Sequence, residues 1–235
     1  MSFDFKGRLA EGLNRLDIDL GDESLDSLEK YFNELKKWSR RLNLIARSSS
    51  DEDILEKHFI DSLTILPLLG ASEAHLLDVG TGAGFPGLVC KAVRDDLKLT
   101  LVEPRQKKVS FLRHIIRILE LHDVKVLNCR IEDESRLPST TPFTHITGRA
   151  VSDLKVFLGM VERFGAAGAK VICMKGPKWQ EEVAEATEAA NKTFICHNVI
   201  EQVLPIKGGR LVLLVYTPNK ACRMKPGGGK HSIQR

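Results

Sequence analysis

The sequence predicts a doubly wound α/β fold: a Rossmann-like, mostly parallel sheet preceded by an N-terminal helical extension. Three observations carry that expectation. From about residue 75 onward, short apolar runs alternate with amphipathic stretches of helical length. The first of these runs leads straight into a glycine-rich turn, Asp78-Val79-Gly80-Thr81-Gly82-Ala83-Gly84. Residues 1 to about 70, by contrast, carry helical periodicity and no convincing strand. The expected organisation is a helical segment over 1–70 packed on a ligand-binding core over 71–219, followed by a flexible basic tail over 220–235.

In the first segment, Leu25, Leu28, Phe32, Leu35 and Leu42 recur at helical spacing, with Asp22 or Ser24 as the expected cap. A second helix is expected from about Asp53 to Leu66, ending near Pro67. In the core, Leu76 to Val79 reads as a buried strand, followed by the glycine turn and a helix through Arg94. Lys98 to Val102 reads as strand, Pro104 to Leu121 as helix, and Val124 to Leu127 as strand. Phe143 to Thr147 is a weaker strand, followed by a helix over Ser152 to Phe164. Ala169 to Met174 is strand and Trp179 to Ala190 is helix. Phe194 to Val203 and Leu211 to Thr217 are expected to close the sheet as an antiparallel pair, joined through Lys207-Gly208-Gly209.

Composition is that of an ordinary globular protein, with 43% hydrophobic and 28% charged residues among 235. No apolar run approaches the roughly 18 residues that a membrane span needs, and the N-terminus lacks a signal-peptide layout, so a cytoplasmic protein is expected. A monomer is expected as well, although nothing in the residues fixes the oligomeric state. The cysteines, Cys90, Cys129, Cys173, Cys196 and Cys222, are scattered and form no CxxC pair, which argues for structural roles and against a metal site. Net charge is only +4, but its distribution is uneven. Basic residues cluster at Lys36, Lys37, Arg40, Arg41 and Arg47, at Arg105, Lys107, Lys108, Arg113 and Arg117, and from Lys220 to Arg235. Such clusters are ordinarily solvated faces, and they gain meaning only where several surround one site for a polyanion.

The glycine turn carries the chemistry. It follows a strand and opens a helix, so its glycines permit a tight bend and close backbone approach to a ligand. Pro86 suits the first helical turn that follows. Glu103 ends the next strand, nineteen residues beyond Gly84, where a carboxylate can accept both hydroxyls of an adenosine ribose. Gly82, Gly84 and Gly87 also satisfy the weak dinucleotide pattern GxGxxG. Three features favour adenosylmethionine over a nicotinamide. Asp78 stands directly before the glycines, where it can meet an ammonium group. The motif begins two residues earlier than a dinucleotide needs. Tyr216 and Lys220 form YxxxK, but Pro218 between them breaks the helix that dehydrogenase pattern requires. At the third strand end, Asn128 and Ile131 could meet an adenine, or Arg130 and Glu132 could simply pair in a solvated turn.

Absent motifs narrow the chemistry further. The fourth strand ends in Thr147-Gly148-Arg149-Ala150, without the Pro-Pro-aromatic element that holds an exocyclic amine. There is no Pro-Cys or Thr-Cys pair for attack on a pyrimidine carbon, and no HExxH, GxSxG or Walker motif. These absences fit methyl transfer to a ring nitrogen that has a free lone pair and no proton to lose.

The sequence resembles the bacterial small-subunit rRNA guanine-N7 methyltransferases, also called glucose-inhibited division protein B, over nearly its whole length. The resemblance is carried by Lys37-Trp38-Ser39-Arg40-Arg41-Leu42-Asn43-Leu44, His58-Phe59-Ile60-Asp61-Ser62, Asp78 through Gly87, Arg130-Ile131-Glu132-Asp133, Arg149-Ala150 and Lys175-Gly176. Ile45 and Gly148 depart from it, standing where the family usually has Thr and Ser. It implies a class I methyltransferase fold and S-adenosyl-L-methionine as cofactor. It also implies 16S rRNA or the small ribosomal subunit as partner, with no membrane. Cofactor contacts are implied at Gly80, Phe85, Ile131, Glu132 and Arg149, with Glu103 on the ribose.

Arg149 is the expected catalytic-site residue: at a strand end it can bind the cofactor carboxylate or an RNA phosphate, or else pair with Glu132 or Glu103. Lys175, Arg40, Arg41, Lys107 and Lys108 are the expected RNA contacts. Trp38, His58 and Asp61 read as packing and helix-fixing residues, the last two being neighbours on one helical face. Two other readings stay open on sequence alone: a nicotinamide-dependent oxidoreductase, and an RNA-binding protein without activity.

Overall fold

The computed structural model describes residues 3–165, 167–190 and 193–219. The expected basic tail, with Lys220, Cys222, Arg223, Lys225, Lys230 and Arg235, lies outside the described residues.

Helix α1 (Phe5–Asn14) is capped by Asp4, whose side chain accepts the Gly7 amide. Helix α2 (Asp22–Ser39) buries Leu25, Leu28, Tyr31, Phe32 and Leu35. Its cap is Gly21, not Asp22 or Ser24. Asp22 instead occupies the first helical position, where its charge favours the helix dipole. The expected second helix is a composite. Ser50 and Asp53 form a reciprocal capping box on α3 (Asp51–Ile54). The chain continues through a π-helical stretch, Leu55–Ile60, into α4 (Asp61–Leu63). Pro67 does not end this helix; it starts a separate 3₁₀ turn, Leu66–Leu69.

The strands are β1 (His75–Val79), β2 (Lys98–Val102), β3 (Val124–Leu127), β4 (His145–Arg149), β5 (Lys170–Lys175), β6 (Phe194–Val203) and β7 (Arg210–Pro218). Between them lie α5 (Gly87–Val93), α6 (Gln106–Ile118), α7 (Leu154–Gly165) and α8 (Trp179–Ala190). Strand β4 starts two residues later than expected: Phe143 packs its ring against Phe164 instead of joining the ladder. The strand also ends two residues later than expected, with Arg149 as its last residue.

One seven-stranded sheet runs in the order β3-β2-β1-β4-β5-β7-β6. Strands β3, β2, β1, β4 and β5 pair in parallel, while β7 is antiparallel to both β5 and β6. The closing pair is therefore present, but its later strand lies inside. The apolar run Leu211–Tyr216 tolerates burial on both faces, whereas β6 alternates exposed residues as an edge should. The strand order reverses between β1 and β4, so the carboxyl ends of those strands flank the crevice where such sheets bind ligands.

Alternate sheet residues feed two cores. Leu76, Leu99, Leu101 and Ile172 face α5, α6 and the N-terminal helices, while Leu77, Val102, Ile146 and Val171 face α7 and the opposite side. The N-terminal helices pack into the first core through Phe5, Tyr31, Phe32 and Phe59. Each such fully buried aromatic or leucine contributes roughly 1.5–3 kcal/mol. No helix among the described residues is long and apolar enough to cross a membrane.

Candidate active site

The glycine turn is held from both sides. The Gly80 and Thr81 amides donate to the Val102 carbonyl at 2.8 and 3.2 Å, tying the turn to the end of β2. Beneath it, Asp78 accepts the Thr81 hydroxyl at 2.6 Å and the Gly87 amide at 2.9 Å, both on Oδ2. Asp78 is fully buried, and its Oδ1 has no hydrogen-bond partner. Burial pushes its carboxyl up to about 7. The expected contact between Asp78 and a ligand ammonium is thus not what this geometry offers, because the group has no exposed surface; it braces the turn and the start of α5. Pro86 immediately precedes α5, across a cis Phe85–Pro86 bond, one residue earlier than expected.

Two glycines are required by geometry. Gly84 has φ +97°, and a Cβ there would lie 2.2 Å from the Tyr31 hydroxyl, which donates to the Ala83 carbonyl. Gly82 has φ +62°, with the Lys108 ammonium 3.6 Å from where its Cβ would be. Lys108 thus stands over the turn, while Lys107 is exposed to solvent.

Glu103 closes the turn. Its Oε2 accepts the Gly82 amide at 3.0 Å and its Oε1 accepts the Arg105 amide at 2.8 Å, though the residue is only 3% exposed. Each carboxylate oxygen has a second lone pair, so the group can still accept from a ribose diol. Asn128 does not turn towards a base: its amide donates to the Glu103 and Pro104 carbonyls and stiffens the chain behind the acid. Ile131 is buried and Glu132 exposed at the same rim. No salt bridge joins Arg130 to Glu132 among the described residues.

Arg149 pairs with neither Glu132 nor Glu103. It donates to Asp61 Oδ2 at 3.0 Å, to His58 Nδ1 at 2.8 Å and to the Lys57 carbonyl. Its guanidinium also stands 5.2 Å over the Phe85 ring, which stacks on His58 at 4.9 Å. His58 and Asp61 therefore do more than fix a helix; they orient the arginine. The sequence placed them on one face but could not reveal a partner so far along the chain. Burial, with the Arg149 and Lys57 cations, pushes the His58 imidazole down to about 3, keeping it neutral and its Nδ1 free to accept. Three of the five guanidinium donors are engaged, which leaves two for a ligand anion. Ala150 follows in a left-handed conformation, φ +54°, a strained geometry typical of sites. At Gly148 a Cβ would meet the Phe157 ring at 2.5 Å, so the bulky ring accounts for the missing Ser.

Beside Arg149, a cleft of about 470 Å³ opens at the carboxyl ends of β4 and β5. Asp61, Arg149, Met174, Lys175, Glu182 and Leu211 are among its walls. Lys175 is not a free cation: its ammonium binds Glu182 at 2.6 Å and the Ser152 carbonyl at 3.2 Å. Glu56, 1% exposed, shapes the far rim by accepting the Ile206 and Lys207 amides of the β6–β7 turn, each at 2.6 Å. Arg40 and Arg41 are exposed beside Trp38 and His114 at a second hollow of about 650 Å³, and they do not line the cleft. The five expected RNA contacts are therefore spread over three places: the cleft wall, the glycine turn and the end of α2.

A strand-turn-helix bend closed by an acid, at the crevice of a sheet in which β7 is the one reversed strand among the described residues, is the arrangement of the class I methyltransferase fold. A solved S-adenosylmethionine-dependent methyltransferase from Aquifex aeolicus shares the fold, with TM-score 0.53, 21% identity, and coverage of 79% of this chain and 97% of that one. The chain belongs to the family described as rRNA small subunit methyltransferase G, which matches residues 24–209. A relative bearing the name ribosomal RNA small subunit methyltransferase G, from Desulfotalea psychrophila, is 49% identical over 92% of this chain and 99% of its own length. Another, from Syntrophus aciditrophicus, is 36% identical over 88% of this chain and 86% of its own.

Proposed function

We propose that this chain transfers a methyl group from S-adenosyl-L-methionine to N7 of a guanosine in 16S rRNA, acting on the small ribosomal subunit or its RNA. The observation that carries the reading is the glycine turn closed by Glu103 through the Gly82 amide. It supplies a concave backbone edge and a buried acceptor for a ribose, which fits an adenosyl ligand.

In this reading Gly80, Gly82 and Gly84 let the backbone approach the ligand, and Glu103 accepts the sugar hydroxyls. Ile131 and Glu132 flank the adenine, and Phe85 backs the site. Arg149 offers its two remaining donors to the ligand carboxylate or to an RNA phosphate. The bound cofactor supplies an electrophilic methyl on a sulfonium. Guanine N7 would be the acceptor, because its ring-nitrogen lone pair is free. No proton leaves N7, so no general base is needed, and the protein's contribution is alignment and exclusion of water. The basic residues Lys107, Lys108, Arg40 and Arg41 would hold the RNA backbone around the site. Helical segment 1–70 serves this core by carrying His58 and Asp61 to Arg149.

The test is transfer of labelled methyl to small subunits lacking the modification, followed by digestion and identification of the labelled nucleoside. N7-methylguanosine is expected. Label in any other nucleoside, or none at all, overturns the reading.

A further inference from the structure

The cleft beside Arg149 contains a charged pair, Lys175 and Glu182, that lies outside the glycine turn and its acid. Lys175 ends β5 and Glu182 sits on α8, and the two meet at 2.6 Å with side chains 13% and 30% exposed. Lys175 spends one further donor on the Ser152 carbonyl, which leaves one N–H. Glu182 receives both Lys175 and the Leu154 amide on Oε2; no hydrogen bond to Oε1 occurs among the described residues. The pair therefore presents one free donor beside one free acceptor. Met174, Leu204 and Leu211 supply apolar surface in the same cleft.

That pattern complements one base edge. Guanine carries the acceptor O6 beside the donors N1–H and N2–H, whereas adenine carries a donor at position 6 beside a bare N1. We infer that Lys175 and Glu182 read the acceptor guanine, Lys175 donating to O6 and Glu182 accepting from N1–H and N2–H. This rests on the methyl-transfer reading above and names the residues that select its base. The base's N7 lies on the edge next to O6, and Arg149 and Ala150 line the same cleft as the pair. A site that hydrogen-bonds its substrate this way rejects an analogue of opposite polarity, because its own polar groups, partly shielded from water, are left unpaired. The contact that looked like a phosphate anchor at Lys175 is then a specificity contact.

The test uses the full chain, labelled adenosylmethionine and unmodified small subunits, with two nucleotides as competitors. One is guanosine 5′-monophosphate. The other is 2,6-diaminopurine riboside 5′-monophosphate, which keeps N7 and the 2-amine but has an amine at position 6 and no N1–H. The wild-type enzyme is expected to be inhibited more strongly by the guanosine nucleotide. Glu182→Gln, which preserves shape and the bond from Leu154, is expected to lose that preference and to lower kcat/KM about tenfold or more. Its Kd for adenosylmethionine should stay within about twofold of wild type, because the cradle is untouched. Lys175→Met should show the same loss. If wild type transfers methyl but both nucleotides inhibit equally, or neither does, the base-reading role fails while the methyl-transfer reading stands. If Glu182→Gln keeps the guanosine preference, the pair is only a strut between β5 and α8. If wild type transfers no methyl, the underlying reading itself fails.

Discussion

Arg149 and Asp61, 88 positions apart in the chain, meet through an Nη1–Oδ2 bond of 3.0 Å with side chains 19% and 12% exposed. This bond joins the last residue of β4 to the helical segment that precedes the sheet. Removing one partner leaves a largely buried charge without its complement, a loss of about 3–5 kcal/mol. Arg149→Ala is expected to cost stability on that scale in denaturant unfolding and to abolish methyl transfer. Arg149→Lys should rescue little of either, since one ammonium cannot reproduce three directed bonds. Full activity in Arg149→Ala would remove the residue from the site.

The glycine turn predicts a ranking. Gly84→Ala places a methyl 2.2 Å from the Tyr31 hydroxyl at a positive φ, whereas Gly82→Ala makes only ordinary contacts, with the flexible tip of Lys108 at 3.6 Å and the Gly80 carbonyl at 3.9 Å. Both substitutions carry a backbone penalty of about 1 kcal/mol or more. The first adds a steric clash in a packed core, costing a further 1–3 kcal/mol or so. Thermal unfolding should therefore place Gly84→Ala well below Gly82→Ala. The reverse order would contradict the packing of Tyr31 against the turn.

His58 and Asp78 give opposite pH slopes. The His58 imidazole sits at about 3 in the folded chain against an ordinary 6.5, so the unfolded chain takes up a proton that the folded one refuses. Its contribution to stability is full above pH 6.5 and declines as pH falls toward 3. Asp78 sits at about 7 against an ordinary 3.8, so the folded chain retains a proton that the unfolded one releases. Its contribution is full below pH 3.8 and is lost as pH rises through 7. Denaturant titrations across pH 4–8 should show His58→Asn reducing acid sensitivity relative to wild type. Asp78→Asn should reduce the loss toward neutral pH. Parallel curves for wild type and both variants would refute these environments.

Glu103→Gln keeps one oxygen for the Gly82 or Arg105 amide but loses the negative charge and half of the acceptor capacity. Calorimetry should show adenosylmethionine binding weakened by about tenfold or more, with circular dichroism unchanged. Unaltered affinity would mean that the acid serves the turn alone.

Much of this architecture was legible in the residues themselves. Lys98–Val102, Val124–Leu127 and Phe194–Val203 form strands with the expected bounds, because short apolar runs between turn residues leave little choice. The glycine turn and Glu103 were legible because their signature is local. What stayed hidden depends on distance. The Asp61–Arg149 bond, the Lys175–Glu182 pair and the clasp of Glu56 on the β6–β7 turn each need the folded chain to bring residues together. The π-helical stretch Leu55–Ile60 was also invisible, since its apolar spacing reads as an ordinary helix. Asp78 misled for a different reason: an acid before a ligand-binding turn can point up to the ligand or down into the core, and only packing decides.

The grip of Glu56 on Ile206 and Lys207 has a consequence for biogenesis. The nascent polypeptide emerges from its N-terminal end, and one jaw of the cleft is synthesised roughly 150 residues before the other. Until the final hairpin has cleared the exit tunnel, that early carboxylate has nothing to clamp. A translation product truncated before Ile206 would therefore leave Glu56, and with it the far rim of the cleft, without its partner.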